Sequence, residues 1–196
     1  MKISTTTFVL KTALRRLAHA AQALSMCCSL AVIAAPICHA SAIDEFLSLK
    51  EIREQGVVMQ AWENSCAAAS LATVLTYGFH DPVSEQLVAL DMLQNTSPEK
   101  VKSRGGFSML DMKNFAIRRG YQVDVFKDLS LQQLSVLSTP IVIVENLGVP
   151  HFVVFDRLAQ DTVFLADPAF GNLTISAAQF QRIWSQGIAL LITRQK

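Results

Sequence analysis

Apolar positions along this chain recur first at helical spacing and then, past Pro140, in short β-branched runs. From Cys66 to about Tyr77 the residues are rich in Ala and Leu, and Gly78 closes them, which predicts a helix. A second helix is predicted from Ser84 to about Leu93, where Leu87, Val88, Leu90 and Leu93 follow a serine suited to cap first-turn N–H groups. Ser108 to Arg119 repeats that scheme. Ser108 and Asp111 form a capping-type start, Met109, Met112, Phe115 and Ala116 share a face, and Gly120 is the stop. A shorter helix, Ser130 to Leu137, opens on Ser130 and Gln133 and ends before Pro140.

Strands are predicted at Ile141–Val144, His151–Asp156, Thr162–Asp167 and, after a Gly171-Asn172 turn, Leu173–Ser176. A short helix at about Ala177–Trp184 and a last strand at Ile188–Thr193 complete the pattern. Helices first and an antiparallel sheet second make an α+β domain with two packed lobes. The cleft between such lobes is where a site is expected. No internal repeat or long linker interrupts residues 43–196, which read as one domain of a size that buries a core without disulfides.

Composition matters most at the N-terminus. Residues 1–42 hold four basic side chains (Lys2, Lys11, Arg15, Arg16) and no acidic one, then an apolar run from Leu17 to about Ile37 and small residues around Ala40 and Ala42. That is the layout of a signal peptide, cleaved after Ala40 or Ala42. A retained N-terminal membrane anchor is the other reading, since the run approaches the roughly 20 residues that cross a bilayer. Either way the domain is expected on the periplasmic side, with the membrane a partner only if the segment is kept.

Export also changes the charge and the cysteine count. The 17 Lys and Arg of the chain fall to 13 against 16 Asp and Glu, so the mature charge is about −3. No basic patch remains to suggest nucleic acid. Cys27, Cys28 and Cys38 lie in the export segment, which leaves Cys66 as the single thiol of the domain. An intramolecular disulfide and a multi-cysteine zinc site are thereby excluded, and no metal or cofactor is expected. A lone cysteine in an exported protein is either a buried bystander or a reactive thiol.

Its surroundings favour the second. A sulfur at a helix start faces unpaired N–H groups and the positive end of the helix dipole, both of which favour a thiolate. Asn64 and Ser65 are natural capping residues. A thiolate nucleophile needs a histidine partner. His80 follows the same helix and sits about 20 Å from the sulfur at 1.5 Å per residue, so it reads as a loop histidine. His151 opens a strand, and Asp167 ends the next one. An antiparallel hairpin makes them cross-strand neighbours, an imidazole with its orienting carboxylate. Gln60, just before the helix, is placed to join the Cys66 N–H in stabilising an oxyanion. The order Gln60, Cys66, His151, Asp167 is that of papain-like cysteine peptidases.

The set Gln60-x5-Cys66-Ala-Ala-Ala, His151-Phe-Val-Val and Asp167-Pro-Ala-x-Gly171, with Phe180-x3-Trp184-x2-Gly187, resembles the bacteriocin-processing cysteine peptidases. These form family thirty-nine of the cysteine peptidases, which cleave leader peptides after double-glycine sites. Residues 75–86 and 106–113 look closer to a stand-alone exported branch that includes the peptidase of the Fap functional-amyloid secretion system. The resemblance implies nucleophile Cys66, base His151, orienting Asp167 and oxyanion donor Gln60, on a helical lobe packed against an antiparallel sheet lobe. It also implies an exported polypeptide as substrate, with secretion or transport proteins as separate partners. One departure stands out. The family's Asp-Cys-Gly reads Ser65-Cys66-Ala67, so the residue beside the nucleophile lacks a glycine's freedom. A second reading of the same residues is a non-catalytic peptide-binding module, holding an extended chain in the same cleft with Cys66 idle.

Overall fold

Small side chains allow one helix to run through the middle of this domain. A computed structural model describes residues 47–146 and 148–194; the predicted export segment, 1–42, and the first residues of the predicted domain, 43–46, lie outside the described residues. Helix α2 (Cys66–Thr73), the predicted helix at the lone cysteine, continues as a π-helical turn over Val74–Gly78. Every residue of α2 after Cys66 is buried, four of them alanines. Alanine costs no side-chain entropy and lets neighbouring backbones approach closely. Helices α3 (Glu85–Asn95) and α5 (Met109–Arg118) pack on it, each with its serine cap in place. Ser108 and Asp111 cap each other's backbone, as their spacing predicts.

Two further helices were not anticipated. Helix α1 (Leu49–Glu54) has a Ser48–Glu51 capping box, and α4 (Pro98–Arg104) has Ser97 as N-cap, Pro98 in its first turn and Gly105 as a left-handed cap. Their end signals are legible, but neither carries a buried residue, so the apolar periodicity that marks a core helix is missing.

Six strands form one antiparallel sheet: β1 (Tyr121–Phe126), β2 (Ile141–Asn146), β3 (Val149–Ala159), β4 (Thr162–Asp167), β5 (Gly171–Ser176) and β6 (Trp184–Arg194). Their order across the sheet is β1-β6-β2-β3-β4-β5. Strand β1 departs from the predicted helices-then-sheet order. It precedes α6 (Leu131–Ser135) and pairs with the last strand, Val123 opposite Ile192. Only Val123 is buried in it, as expected of an edge strand with one half-covered face.

The sheet is covered on both sides. Phe152, Val154, Ile141 and Leu190 face α2, α3 and α5, while Val153, Phe155, Val142 and Leu165 face α6 and α7 (Ala177–Ile183). The continuous apolar run Phe152–Phe155 is the sequence mark of a strand buried on both faces. On the second side Phe180 stacks on Trp184 with ring centroids 5.3 Å apart and meets Phe155 at a tilt, 5.7 Å away. Burying each such ring contributes about 1.5–3 kcal/mol. The α+β class stands, with the helical lobe on one face and a smaller helical cover on the other.

Candidate active site

Cys66 is the first residue of α2, and its side chain lies in a cleft of about 290 Å³. Gln60, Asn64 and Gly105 line the cleft on the helical side, His151 and Phe170 on the sheet side. Ser65 is the N-cap residue, but its hydroxyl donates to the Trp62 carbonyl (2.8 Å) and leaves the helix uncapped by a side chain. The predicted capping role of Ser65 is therefore corrected. The amides at the start of α2 stay available to an anion, because no capping oxygen competes for them.

Two of the surrounding amides reach the sulfur. Burial pushes the Cys66 thiol up, but the His151 hydrogen bond, the Phe152 N–H, the imidazole's charge and the Ala67 N–H outweigh it, and the thiol lies below its ordinary value. Helix α2 is docked on β3 by Ser70, whose hydroxyl donates to the Phe152 carbonyl at 3.0 Å. That bond holds the Phe152 backbone next to the helix start. The sequence offers no signal for the Phe152 amide, since any residue presents one.

His151 Nε2 lies 2.9 Å from Asp167 Oδ1, which leaves Nδ1 for the thiol. Burial draws the imidazole's pKa down; the Asp167 and Cys66 hydrogen bonds and charges reverse this and push it up to about 9. A thiol moved down beside an imidazole moved up favours a thiolate–imidazolium pair at neutral pH. Asp167 Oδ1 also accepts from the Ala169 N–H (2.7 Å) and the Phe170 N–H (3.3 Å), so the turn after β4 fixes the carboxylate. The expected contact between His151 and Asp167 is present, but not between cross-strand partners, because the β3–β4 ladder ends at Val154 opposite Ala166.

Gln60 stands beside them. Its backbone N–H donates to the Pro168 carbonyl at 2.8 Å, tying the helical side of the cleft to the Asp167 turn. The side-chain Nε2 donates to Trp62 O at 3.2 Å, with its second N–H left over, and Oε1 is buried without a partner. The loop is further held by Glu85, a buried carboxylate that accepts from the Ala61 N–H at 2.9 Å. Sequence reasoning did not single out Glu85. His80 is exposed, has φ 54° and does not line the cleft.

Ala67 answers to its departure from glycine. It is helical, fully buried and part of the core cluster around α2, so its methyl group fills space and strains nothing. Among the described residues no group of three or more His, Cys, Asp or Glu is placed to hold a metal ion.

Residues 54–196 match the Peptidase C39 family, a family of cysteine peptidases. The chain belongs to this family. It is similar to the probable functional amyloid protease FapD of Pseudomonas aeruginosa, 36% identical over 149 residues, 76% of this chain and 65% of that protein. A FapD of Pseudomonas fluorescens is 36% identical over 138 residues, 70% of this chain and 61% of its own. The chain thus spans just under two thirds of the length of these relatives. Among solved structures, a double-glycine-motif protease from an AMS/PCAT transporter, in complex with the leader peptide, is 27% identical with a TM-score of 0.59, covering 71% of this chain and 91% of that one. The peptidase domain of Streptococcus ComA, 21% identical with a TM-score of 0.60 over 71% of this chain and 98% of its own, shares the fold. The C39 fold is the papain-like one expected from the order of the four site residues.

Proposed function

We propose that this C39 family member is a thiol endopeptidase that processes an exported polypeptide in the periplasm, at or beside glycine-containing sites. The observation that carries the reading is the chain of contacts from the Cys66 thiol to His151 and on to Asp167, set at a helix N-terminus in an open cleft. The similarity to proteins named functional amyloid proteases, and to a protease solved with a leader peptide, supports a secretion substrate of amyloid or bacteriocin type.

In this mechanism the Cys66 thiolate attacks the scissile carbonyl carbon, and the carbonyl oxygen becomes an oxyanion. The Cys66 backbone N–H and the free N–H of Gln60 Nε2 receive that charge. His151 then gives its Nδ1 proton to the leaving amine, and the C–N bond breaks to leave a thioester. A water, deprotonated by His151, attacks the thioester; the acid departs and the thiolate–imidazolium pair is restored. Asp167 keeps the ring turned so that one nitrogen faces the sulfur throughout. It does not exchange the proton itself.

The test incubates the full chain with an exported polypeptide that carries a diglycine site and follows fragments by mass spectrometry. Wild-type protein yields defined fragments, and Cys66→Ala yields none while keeping its circular dichroism spectrum. Equal cleavage by both rejects the peptidase reading. Fractionation of cells tests the periplasmic site: recovery of the chain in the cytosol contradicts it.

A further inference from the structure

The cleft at Cys66 does not end at Phe170. Ala169 and Phe170 line the cleft and also line a second depression of about 260 Å³. Met59 and helix α1, through Leu49, Lys50, Arg53 and Glu54, supply the rest of its surface. Leu49 is 81% exposed and Phe170 52% exposed, so two large apolar side chains stand uncovered in a depression continuous with the cleft.

Helix α1 buries none of its own residues, yet it is fastened at this spot. Arg53 Nη2 donates to the Phe170 carbonyl at 2.9 Å, and Asn172 Nδ2 donates to the Gln55 carbonyl at 2.8 Å. A Cβ on Gly171 would lie 2.4 Å from the Arg53 carbonyl oxygen, which measures how closely the two backbones approach. A helix without a core face, held by three such contacts against the turn that carries Asp167, makes a rigid wall. The family match begins at residue 54, so Leu49, Lys50 and Arg53 lie just before the matched region.

We propose that this depression is a substrate subsite that takes an apolar side chain two or three residues after the scissile bond. The proposal rests on the peptidase reading above and names the side of the substrate that helix α1 meets. His151 must reach the leaving amine, and it stands on the sheet wall with Ala169 and Phe170 beside it. In this threading the part of the substrate that stays on the sulfur runs toward Asn64 and Gly105, which line the cleft on the helical side. The departing chain therefore runs over Phe170. An extended chain advances about 3.3 Å per residue, so two or three residues carry it one side chain beyond the cleft. There Leu49, Met59 and Phe170 offer apolar contact, while Lys50 and Glu54, 3.8 Å apart, keep the rim polar.

The test uses two quenched peptides that share a diglycine before the scissile bond. One has leucine at the second and third positions after the bond, the other serine. Wild-type full chain is expected to cut the leucine peptide with a kcat/KM on the order of tenfold higher, the usual worth of one filled apolar pocket. Leu49→Asp removes that preference. Ile52→Ser, on the same helix but outside the depression, keeps it. Equal rates on both peptides by the wild type, or an undiminished leucine preference in Leu49→Asp, overturn the subsite. If the wild type cuts neither peptide and also leaves the exported polypeptide whole, the peptidase reading fails and the subsite falls with it.

Discussion

His151 and Asp167 meet at 2.9 Å although the sheet does not pair them. The last rung of the β3–β4 ladder at this end is Val154 opposite Ala166, one residue short of Asp167 and three short of His151. Their contact is diagonal, made past the end of the ladder. It is held from the Asp167 side, where two backbone N–H groups fix the carboxylate. Asp167→Asn keeps an acceptor in place and loses the charge. The difference between a charge-assisted and a neutral hydrogen bond is about 1–2 kcal/mol, so kcat/KM is expected to fall roughly tenfold. A fall as large as that of His151→Ala would show that the carboxylate's charge, and not merely an acceptor at that place, is needed to hold the imidazole in its working state.

The pH profile follows from the two shifted groups. The thiol must be ionised, and its pKa lies below the ordinary thiol value, so the acid limb of kcat/KM falls below that value. The imidazole must be protonated to serve the leaving amine, and it loses its proton at about pH 9, so the alkaline limb lies there. Asp167→Asn withdraws one of the causes that raise His151 and is expected to move the alkaline limb to lower pH. Steady-state rates from pH 5 to 10 for both proteins measure this.

Gln60→Ala is expected to cost on the order of 2–4 kcal/mol in kcat with little change in KM, because the donor acts on charge that develops after binding. Stability should barely change. The side chain makes one hydrogen bond, to Trp62, and holds an unpartnered buried oxygen that the substitution removes. Parallel kinetics and thermal melts separate the two effects.

Gly171→Ala is expected to lower stability by more than about 1 kcal/mol. Its φ is 79°, and the new methyl group would meet the Arg53 carbonyl oxygen. The strain falls on the link between α1 and the Asp167 turn, so activity should decline together with the melting temperature.

Much of this site was legible because its signals are local. Ser84 with its apolar spacing marked α3, serine caps followed three residues later by Asp or Gln marked α5 and α6, and Cys66 at the start of an alanine-rich run marked α2. The α1 and α4 helices escaped because they face solvent and carry no apolar stripe, although Ser48–Glu51 and Ser97-Pro98 announced them. Strand β1 alternates as Tyr121, Val123, Val125, but its partner β6 lies about 70 residues away in the chain, and pairing at that range leaves no local trace. The Phe152 amide at the sulfur is invisible in sequence for the same reason: backbone donors are placed by packing, here through Ser70.

His151 holds Cys66 as a thiolate in the proposed mechanism. The most direct test is the rate of iodoacetamide alkylation at Cys66 as a function of pH, followed by peptide mass mapping in the wild type and in His151→Ala. Alkylation near pH 6 is expected to be rapid in the wild type, and in His151→Ala to be lost steeply at that pH, with recovery only where an ordinary thiol ionises. Alkylation profiles that coincide in the two proteins, both rising near the ordinary thiol value, would contradict it.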